Sequence, residues 1–189
     1  MGNNKLVIIS APSGAGKSTI ISHLLKCGLG LEFSVSATTR QPRGTEQNGV
    51  EYYFFNVEEF EHHISQNDFV EYEQVYEGRY YGTLKSEMQR IWDKQNTVLF
   101  DVDVVGGVNL KKMFGSNALS VFIKPPSIEE LRRRLIGRST DSMEEIEKRV
   151  SKAENEVAFA EQFDITIVND SLIKAQKEAE TVIREFLSN

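Results

Sequence analysis

The sequence predicts an α/β protein built on a parallel β-sheet with helices on both faces. One observation is a set of five short apolar runs, each with the length and composition of a buried strand. Another is that stretches of helical periodicity separate most of these runs, as in sheets whose strands are joined by crossover helices. The predicted strands are Leu6–Ile9, Phe33–Val35, Val98–Val102, Leu119–Ile123 and Ile165–Val168. The predicted helices are Ser18–Leu25, Leu84–Trp92, Ser127–Ile136 (with Ser127 as N-cap and Glu130 completing a capping box), Met143–Ala160 and Ile173–Leu187.

Two segments depart from this alternation and predict lobes inserted into one core. Residues 36–83 are rich in Tyr, Phe, Glu and Gly, and their run Val50–Phe55 predicts a small β-rich insertion. Residues 127–157 are dominated by charge and predict a helical lid. We therefore expect a single domain over 1–189, with its core formed by 1–35, 84–126 and 158–189.

Composition excludes several classes of protein. The 189 residues carry a formal net charge of −6, which argues against binding to a nucleic-acid polymer, although local arginines can still hold a nucleotide-sized anion. Cys27 is the only cysteine, so the sequence predicts neither an intrachain disulfide nor a structural zinc site, and a reducing cytoplasm is the expected setting. No secretory leader or membrane-length apolar stretch is visible, so no membrane partner is expected.

A phosphate-binding loop is predicted directly after the first apolar run. Ser10–Thr19 reads S-A-P-S-G-A-G-K-S-T and leads into an amphipathic helix, which places inward-pointing N–H groups at a helix N-terminus. Lys17 would reach the β- and γ-phosphates of a nucleotide, and the Ser18 hydroxyl would ligate Mg²⁺. Ala11 stands where the usual pattern has glycine, which is tolerable if its φ is negative. The residues predicted to bind nucleotide phosphates in this loop, which the family resemblance described below assigns to ATP, are Ala11, Pro12, Ser13, Gly14, Ala15, Gly16, Lys17, Ser18 and Thr19. This loop makes the predicted sheet one of the phosphate-loop NTPase type.

Two carboxylates follow the apolar run that ends near residue 102. Ligands of open parallel sheets collect beyond the carboxyl ends of the strands, where Asp101 and Asp103 would lie. Asp101 is predicted to hold Mg²⁺, directly or through a water, as the partner of Ser18. The alternative is an ordinary solvated strand end.

Arginines form two further candidate groups. Arg40 and Arg43 lie in a loop bounded by proline and glycine, where guanidinium pairs suit a monophosphate, although a plain surface loop would also carry them. In the charged segment, Arg134 and Arg138 are four residues apart and project from one helix face, from which they could close over phosphates. Neighbouring Arg132 and Arg133 are better explained as a solvated face.

Taken together, these motifs resemble the guanylate kinase family over essentially the whole chain. The matching stretches are Ser13–Thr19, Ser34–Arg43, Asn48–Tyr52, Phe69–Tyr72, Tyr80–Thr83, Asp101–Asp103, Arg134–Arg138 and Ile167–Asp170. The T-T-R-x-P-R and Y-Y-G-[ST] stretches are far more specific than the phosphate loop.

The resemblance implies Mg²⁺-dependent transfer of a phosphoryl group from ATP to GMP, with residues assigned by position. It implies that Ser36, Arg40, Arg43, Tyr52 and Tyr81 hold the GMP phosphate, and that Glu71, Thr83 and Asp103 read the guanine, with Asp101 also counted in the GMP site. It implies a catalytic set of Lys17, Arg40, Arg134, Arg138 and Arg149, and places Asn169 beside the adenine of ATP.

Base chemistry supports the same assignment. A carboxylate at Glu71 accepts from guanine N1–H and N2–H₂, and a hydroxyl at Thr83 donates to O6, whereas adenine reverses this pattern. Two alternatives are a catalytically silent interaction module, which typically lacks a working phosphate loop, and another nucleoside monophosphate kinase, which would lack the Glu71/Thr83 pair. The oligomeric state stays open.

Overall fold

The computed structural model describes residues 4–137 and 142–189. Over these ranges the strands are β1 (Leu6–Ser10), β2 (Leu31–Phe33), β3 (Ala37–Thr38), β4 (Tyr53–Phe54), β5 (Phe69–Tyr76), β6 (Arg79–Leu84), β7 (Thr97–Asp101), β8 (Ala118–Lys124) and β9 (Ile165–Val168). The helices are α1 (Lys17–Leu24), α2 (Val57–Ser65), α3 (Lys85–Asp93), α4 (Val104–Phe114), α5 (Ile128–Gly137), α6 (Met143–Val157) and α7 (Leu172–Ser188), with short 3₁₀ helices at Gly115–Asn117 and Ala158–Gln162.

The larger sheet confirms the predicted fold class. Its five parallel strands have the order β2-β7-β1-β8-β9, and helices flank it. In the centre, β1 pairs with β8 from Leu6 opposite Ala118 to Ser10 opposite Phe122. All five residues of β1 are buried, which explains why this strand appears in the sequence as a continuous apolar run.

The second predicted strand is displaced. The sequence predicts Phe33–Val35, whereas the strand occupies Leu31–Phe33 and ends before Ser34. Val35 is buried, but its N–H donates to the Glu87 carboxylate at 3.0 Å. Val35 can therefore be buried without belonging to the strand, because a side chain rather than a neighbouring strand accepts its N–H hydrogen bond.

The insertion contains a second sheet of order β4-β3-β6-β5, dominated by the antiparallel pair β5 and β6. The β-rich prediction is confirmed in kind, but within the predicted run Val50–Phe55 only Tyr53–Phe54 is a strand. Helix α2 was missed by the sequence reasoning, although Asn56 and Glu59 form a reciprocal capping box at its start. Its Phe60 is fully buried and stacks on Phe69 at a ring-centroid distance of 4.3 Å.

Helix α4 was also missed, because two adjacent glycines interrupt its pattern. Gly107 permits close packing: a Cβ there would lie 2.6 Å from Ser10 Oγ and 3.0 Å from the Phe163 ring. The Asp103 carboxylate caps this helix by accepting from Gly106 N–H at 2.7 Å. Asp103, which was predicted as a site residue, is therefore also the N-cap of α4.

Helices α5 and α6 share a small apolar core. The core consists of Leu131, Leu135, Ile146, Val150 and Ala153. Ser127 accepts from the Glu130 N–H at 3.1 Å, as predicted for an N-cap, while the Glu130 carboxylate pairs with Arg133 and Arg134. The helix predicted as Met143–Ala160 ends at Val157 and continues as a 3₁₀ helix.

The described residues divide into two compact units. One is Glu32–Val98, and the other combines Asn4–Leu31 with Leu99–Asn189. The predicted lobe 36–83 lies within the first unit, and the narrower boundaries of lobe and lid stay predictions. Among the described residues, no helix has the length and apolar character needed to cross a membrane.

Candidate functional site

The phosphate loop connects β1 to α1 and depends on two glycines with left-handed backbone. Gly14 has φ of +93° and Gly16 has φ of +97°, conformations that an L-residue adopts only with strain. Neighbours also limit both positions. A Cβ at Gly14 would lie 3.0 Å from Leu131 and Leu135, and one at Gly16 would lie 2.3 Å from the Asn169 amide. The backbone conformation and the close neighbours therefore both favour glycine at these two positions.

Asn169 supports this loop through a side-chain hydrogen bond. Its side chain is 4% exposed and donates from Nδ2 to the Ala15 carbonyl at 2.7 Å. Its own N–H donates to the Lys124 carbonyl at 2.8 Å, which continues the pairing of β8 with β9. The resemblance gives Asn169 a contact with adenine, and the fold adds a positioning role toward the loop.

Ala11 fits the loop without strain. Among the described non-glycine residues, only Asn67 and Gln95 have positive φ, so Ala11 has an ordinary backbone. Its side chain is buried at 8% exposure. The condition for replacing the usual glycine, a negative φ, is met.

Lys17, at the first position of α1, points toward the end of β7. Its Nζ forms an ion pair with Asp101 and donates to the Val102 carbonyl at 3.3 Å. Asp101 was predicted as a metal partner of Ser18, and it serves here as the counter-ion of Lys17. A phosphate that reaches Lys17 must therefore compete with Asp101 for its charge.

These groups surround a cavity of about 400 Å³. All of the predicted loop residues Ala11–Thr19 line it except Ala15, which is fully buried. The other lining residues are Asp101, Val102, Asp103, Arg149, Lys152 and Glu156. The cavity volume is within the range of small-molecule and cofactor sites.

Helix α6 contributes a row of charges to this cavity. Arg149 donates to Ser13 Oγ at 3.4 Å, which links the predicted lid arginine to the loop. Lys152 and Glu156 were missed, although their spacing from Arg149 is that of one helix face. Burial raises the pKa of the Glu156 carboxyl, and nearby Asp103 raises it further, while Lys152 opposes the shift.

Two further arginines, Arg134 and Arg138, were predicted to belong to the lid, and the structure describes the first of them. Arg134 donates from Nε to Glu130 at 2.8 Å and from Nη2 to the Asn169 carbonyl at 3.0 Å. Arg133 and Arg134 together lower the pKa of Glu130 to about 2. Arg138 lies outside the described residues.

In the unit Glu32–Val98, the two predicted base-reading residues are in direct contact. Glu71 on β5 is paired with Thr83 on β6, and the Thr83 hydroxyl donates to Glu71 Oε1 at 2.8 Å. Thr83 is fully buried. The neighbouring Gly82 has no room for a side chain, since a Cβ there would lie 2.7 Å from the Glu71 carbonyl oxygen. The strand pairing thus brings a buried donor and a carboxylate acceptor to one place.

Arg40 is the most strongly engaged of the predicted phosphate ligands. Its guanidinium donates to both oxygens of Glu46, at 2.7 and 2.9 Å, and stacks 4.9 Å from the Tyr52 ring. Its side chain is buried, and hydrogen bonding to Glu46 raises the pKa of Arg40 further. The same contact, with a backbone bond from Arg43, lowers the pKa of Glu46 to about 2.

The remaining predicted ligands surround this ion pair. The Arg43 N–H donates to Glu46 Oε2 at 2.7 Å, and its side chain is exposed. Tyr52 and Tyr81 pack edge to face at 6.1 Å. Ser36 is half-buried, and its carbonyl accepts from Tyr53 N–H at 2.9 Å. Glu46 was missed; an acidic residue six positions beyond Arg40 in the same short loop was the available signal.

Glu87 is a buried carboxylate that the sequence reasoning also missed. It accepts from Val35 N–H, the Tyr53 hydroxyl and the Arg90 guanidinium at 2.8 to 3.0 Å. Burial would raise its pKa, but these donors lower it overall. These contacts join Val35, Tyr53 and Arg90 around one carboxylate, so Glu87 has a structural role and requires no catalytic explanation.

The parallel sheet and the glycine-bearing loop between β1 and α1 define a phosphate-loop protein of the α/β class. Comparison with known proteins identifies the family within this class. The family model described as guanylate kinase matches residues 3–186.

Individual relatives agree with this match. The chain is 59% identical to a guanylate kinase from Bacteroides thetaiotaomicron, over 97% of this chain and 90% of that protein. It is 56% identical to a guanylate kinase from Porphyromonas gingivalis, over 97% of this chain and 98% of that protein. A crystal structure of guanylate kinase from Anaplasma phagocytophilum has a TM-score of 0.76 and 29% identity, covering 98% of this chain and 87% of that one. The chain belongs to the guanylate kinase family.

Proposed function

We propose that this protein transfers the γ-phosphoryl group of ATP to GMP, giving ADP and GDP, with Mg²⁺ as the metal. The observation that carries the proposal is a phosphate loop with Lys17 and Ser18 on the wall of a cavity, in a chain of the guanylate kinase family. A silent interaction module has no need of this combination. The chemistry is in-line transfer that depends on positioning and charge stabilisation, without a covalent intermediate.

On the donor side, the loop amides and the α1 N-terminus would hold the ATP phosphates, and Lys17 would exchange Asp101 for phosphate oxygens. Ser18 and Asp101 fit Mg²⁺ because both offer oxygen ligands and both line the same cavity. A bound ion would neutralise charge on the β- and γ-phosphates. Arg149, which contacts Ser13, is positioned to add a guanidinium to the same phosphates.

On the acceptor side, guanine recognition would proceed by exchange of hydrogen bonds. The Thr83 hydroxyl donates its proton in a hydrogen bond to Glu71 Oε1, so it cannot at the same time donate to guanine O6. When guanine N1–H and N2–H₂ donate to the Glu71 carboxylate, the Thr83 hydroxyl can rotate toward O6. Adenine lacks the N1–H donor, so it leaves the carboxylate with less compensation, which costs on the order of several kcal/mol in such sites.

The GMP phosphate would make a similar exchange at Arg40. A phosphate accepts from a guanidinium and from nearby N–H groups, and the Glu46 carboxylate already accepts from Arg40 and from Arg43 N–H. We therefore expect the GMP phosphate to displace the Glu46 carboxylate from these donors. Tyr52 and Tyr81 are the neighbouring hydroxyl-bearing rings that would complete the phosphate site.

A coupled assay of ADP formation with GMP, AMP and UMP as acceptors tests the proposal. We expect kcat/KM for GMP to exceed that for AMP by at least about 100-fold. Protein carrying Lys17→Ala, prepared in parallel, controls for contaminating kinases. Comparable rates with AMP or UMP would indicate another nucleoside monophosphate kinase, and no turnover with any acceptor would indicate an interaction module.

We also propose the cytoplasm as the place of action. ATP and GMP would both be available there, and a lone cysteine, Cys27, suits a reducing compartment.

A further inference from the structure

Three side chains with metal-binding chemistry lie together away from the phosphate loop. His23 Nε2 is 3.3 Å from Cys27 Sγ and 3.7 Å from Glu180 Oε2. One ligand atom from each residue lies within 4.8 Å of the other two. All three residues are half-buried, so an ion could enter from solvent and still lose part of its hydration shell.

The fold assembles this group from two helices. Helix α1 ends at Leu24, and the following turn is closed by Lys26 N–H to the His23 carbonyl at 2.9 Å and Cys27 N–H to the Leu24 carbonyl at 3.2 Å. This turn returns Cys27 to the same face as His23. Glu180 comes from α7, which packs against α1. Because Glu180 is distant in sequence, residue spacing alone could not predict the cluster.

The distances match those required around a tetrahedral zinc ion. With Zn–N, Zn–S and Zn–O bonds of ordinary length, the nitrogen and sulfur would be about 3.6 Å apart and the nitrogen and oxygen about 3.3 Å apart. The observed separations of 3.3 and 3.7 Å differ from these by amounts that side-chain rotation can supply. We propose that His23, Cys27 and Glu180 bind a zinc-class divalent cation, with a fourth position open to water.

Arg184 would act as the outer partner of the carboxylate ligand. It donates to Glu180 Oε1 at 2.7 Å, which leaves Oε2 directed at His23. Outer hydrogen bonds of this kind orient metal ligands. The guanidinium charge also repels a dication, so we expect weaker binding than in closed sites with four protein ligands.

A hydrogen-bond network without metal is the competing explanation, and the thiol separates the two. Cys27 Sγ lies 3.2 Å from the His23 carbonyl, a contact that a protonated thiol makes. In a network without metal the thiol keeps this proton, whereas metal binding releases it, because zinc is bound by the thiolate.

The ion would connect the C-terminal end of α1 to α7. Because α1 carries Lys17 and Ser18 in its first turn, a metal at its other end would stabilise the helix that presents the phosphate-binding groups. A metal that binds the folded state and not the unfolded state raises the midpoint of thermal unfolding. The expected increase is about 5–10 °C when the free metal concentration is about a hundred times Kd.

Titration of the reduced, nucleotide-free and magnesium-free protein with Co²⁺ provides the direct test. We expect one equivalent to bind with a sulfur-to-cobalt charge-transfer band, released by Zn²⁺, and with loss of protons to the buffer. Cys27→Ser should abolish the band, and His23→Gln and Glu180→Gln should each weaken binding by at least about 10-fold.

Two control variants locate the ion. His62→Gln removes an exposed imidazole elsewhere, and Asp101→Asn removes a carboxylate of the nucleotide cavity; both should develop the sulfur-to-cobalt band at the same Co²⁺ concentration as the parent does. Absence of the band in the folded parent protein would overturn the proposal. Unchanged affinity in both His23→Gln and Glu180→Gln would also overturn it, since the thiol alone would then be the ligand.

Discussion

The phosphate loop and the loop around Arg40 both offer positive charge to an anion, but they are built differently. In the first, backbone geometry creates the site: Gly14 and Gly16 have positive φ, and Asn169 supports the loop. In the second, the donors are mainly the Arg40 side chain and one N–H group, and Glu46 already accepts from them. Backbone donors are fixed by the fold, whereas a side-chain donor such as Arg40 can pair with a carboxylate of the same loop. Substitutions should therefore affect the two regions in different ways.

Lys17→Ala should have the largest effect, because Lys17 is the charged side chain that the backbone-built site directs at the transferring group. We expect kcat to fall about 10³-fold, the scale at which removal of a transition-state charge contact is felt. Steady-state kinetics with saturating ATP and GMP measure the change, and Lys26→Ala, an exposed lysine just beyond α1, is the control. Near-normal turnover in Lys17→Ala would remove the loop from the catalytic site.

Glu71→Gln should affect the acceptor alone. The amide replaces one acceptor oxygen with a donor that opposes guanine N–H. We therefore expect kcat/KM for GMP to fall, by a factor that corresponds to a loss of about 2–4 kcal/mol in transition-state stabilisation. The KM for ATP should stay within about twofold. Glu77→Gln, in the exposed β5–β6 turn, is the matched control. Equal losses for both nucleotides would assign Glu71 a general structural role.

Asn169→Ala tests whether the loop depends on its support. The substitution leaves the Ala15 carbonyl without its 2.7 Å donor, and we expect a loss of about 1–3 kcal/mol in the free energy of unfolding. Urea unfolding measures this, and the KM for ATP should rise while that for GMP does not. Asn155→Ala, an exposed asparagine on α6, should leave both quantities unchanged. Unaltered stability in Asn169→Ala would show that the glycines alone fix the loop.

Glu46→Gln should have the smallest effect and the opposite sign. Removal of the competing carboxylate should lower the KM for GMP by about threefold, since a neutral amide holds Arg40 less strongly. A raised KM would instead mean that Glu46 positions Arg40 for substrate. Glu51→Gln, exposed in the same loop, is the control.

The Arg40–Glu46 pair also has a defined pH dependence. The pKa of Glu46 is about 2 in the folded protein, below its ordinary value of 4.5, so the carboxylate favours the folded state. This contribution is fully present above about pH 4.5 and is lost as the pH falls toward 2. The ratio of KM values between Glu46→Gln and the parent should therefore be constant between about pH 5 and 8.

The same contrast explains what the sequence could predict. The phosphate loop is contiguous, so its glycines, Lys17 and Ser18 are visible as one pattern, and the buried central strands appear as apolar runs. Helix α4 was hidden because Gly106 and Gly107 lower helical propensity, and at Gly107 the need for glycine comes from close packing against Ser10 and Phe163.

Side-chain partners were harder to predict than elements. Glu46 and Glu87 have no pattern of their own, because a carboxylate in a loop or helix is ordinarily solvated. Their roles come from which cations and N–H groups the fold brings near them, as with Glu87 between Val35, Tyr53 and Arg90. The hydrogen bonds of a predicted ligand such as Arg40 thus include a partner, Glu46, that only the fold identifies.

The contact between Asn169 and Ala15 joins residues 154 positions apart. During synthesis, the segment that becomes the phosphate loop therefore leaves the ribosome well before the residue that supports it. Contacts of such long sequence separation form late in folding. A nascent chain therefore gains a fully supported loop only when β9 has joined the sheet, so its capacity to retain ATP should be acquired only after β9 has been synthesised.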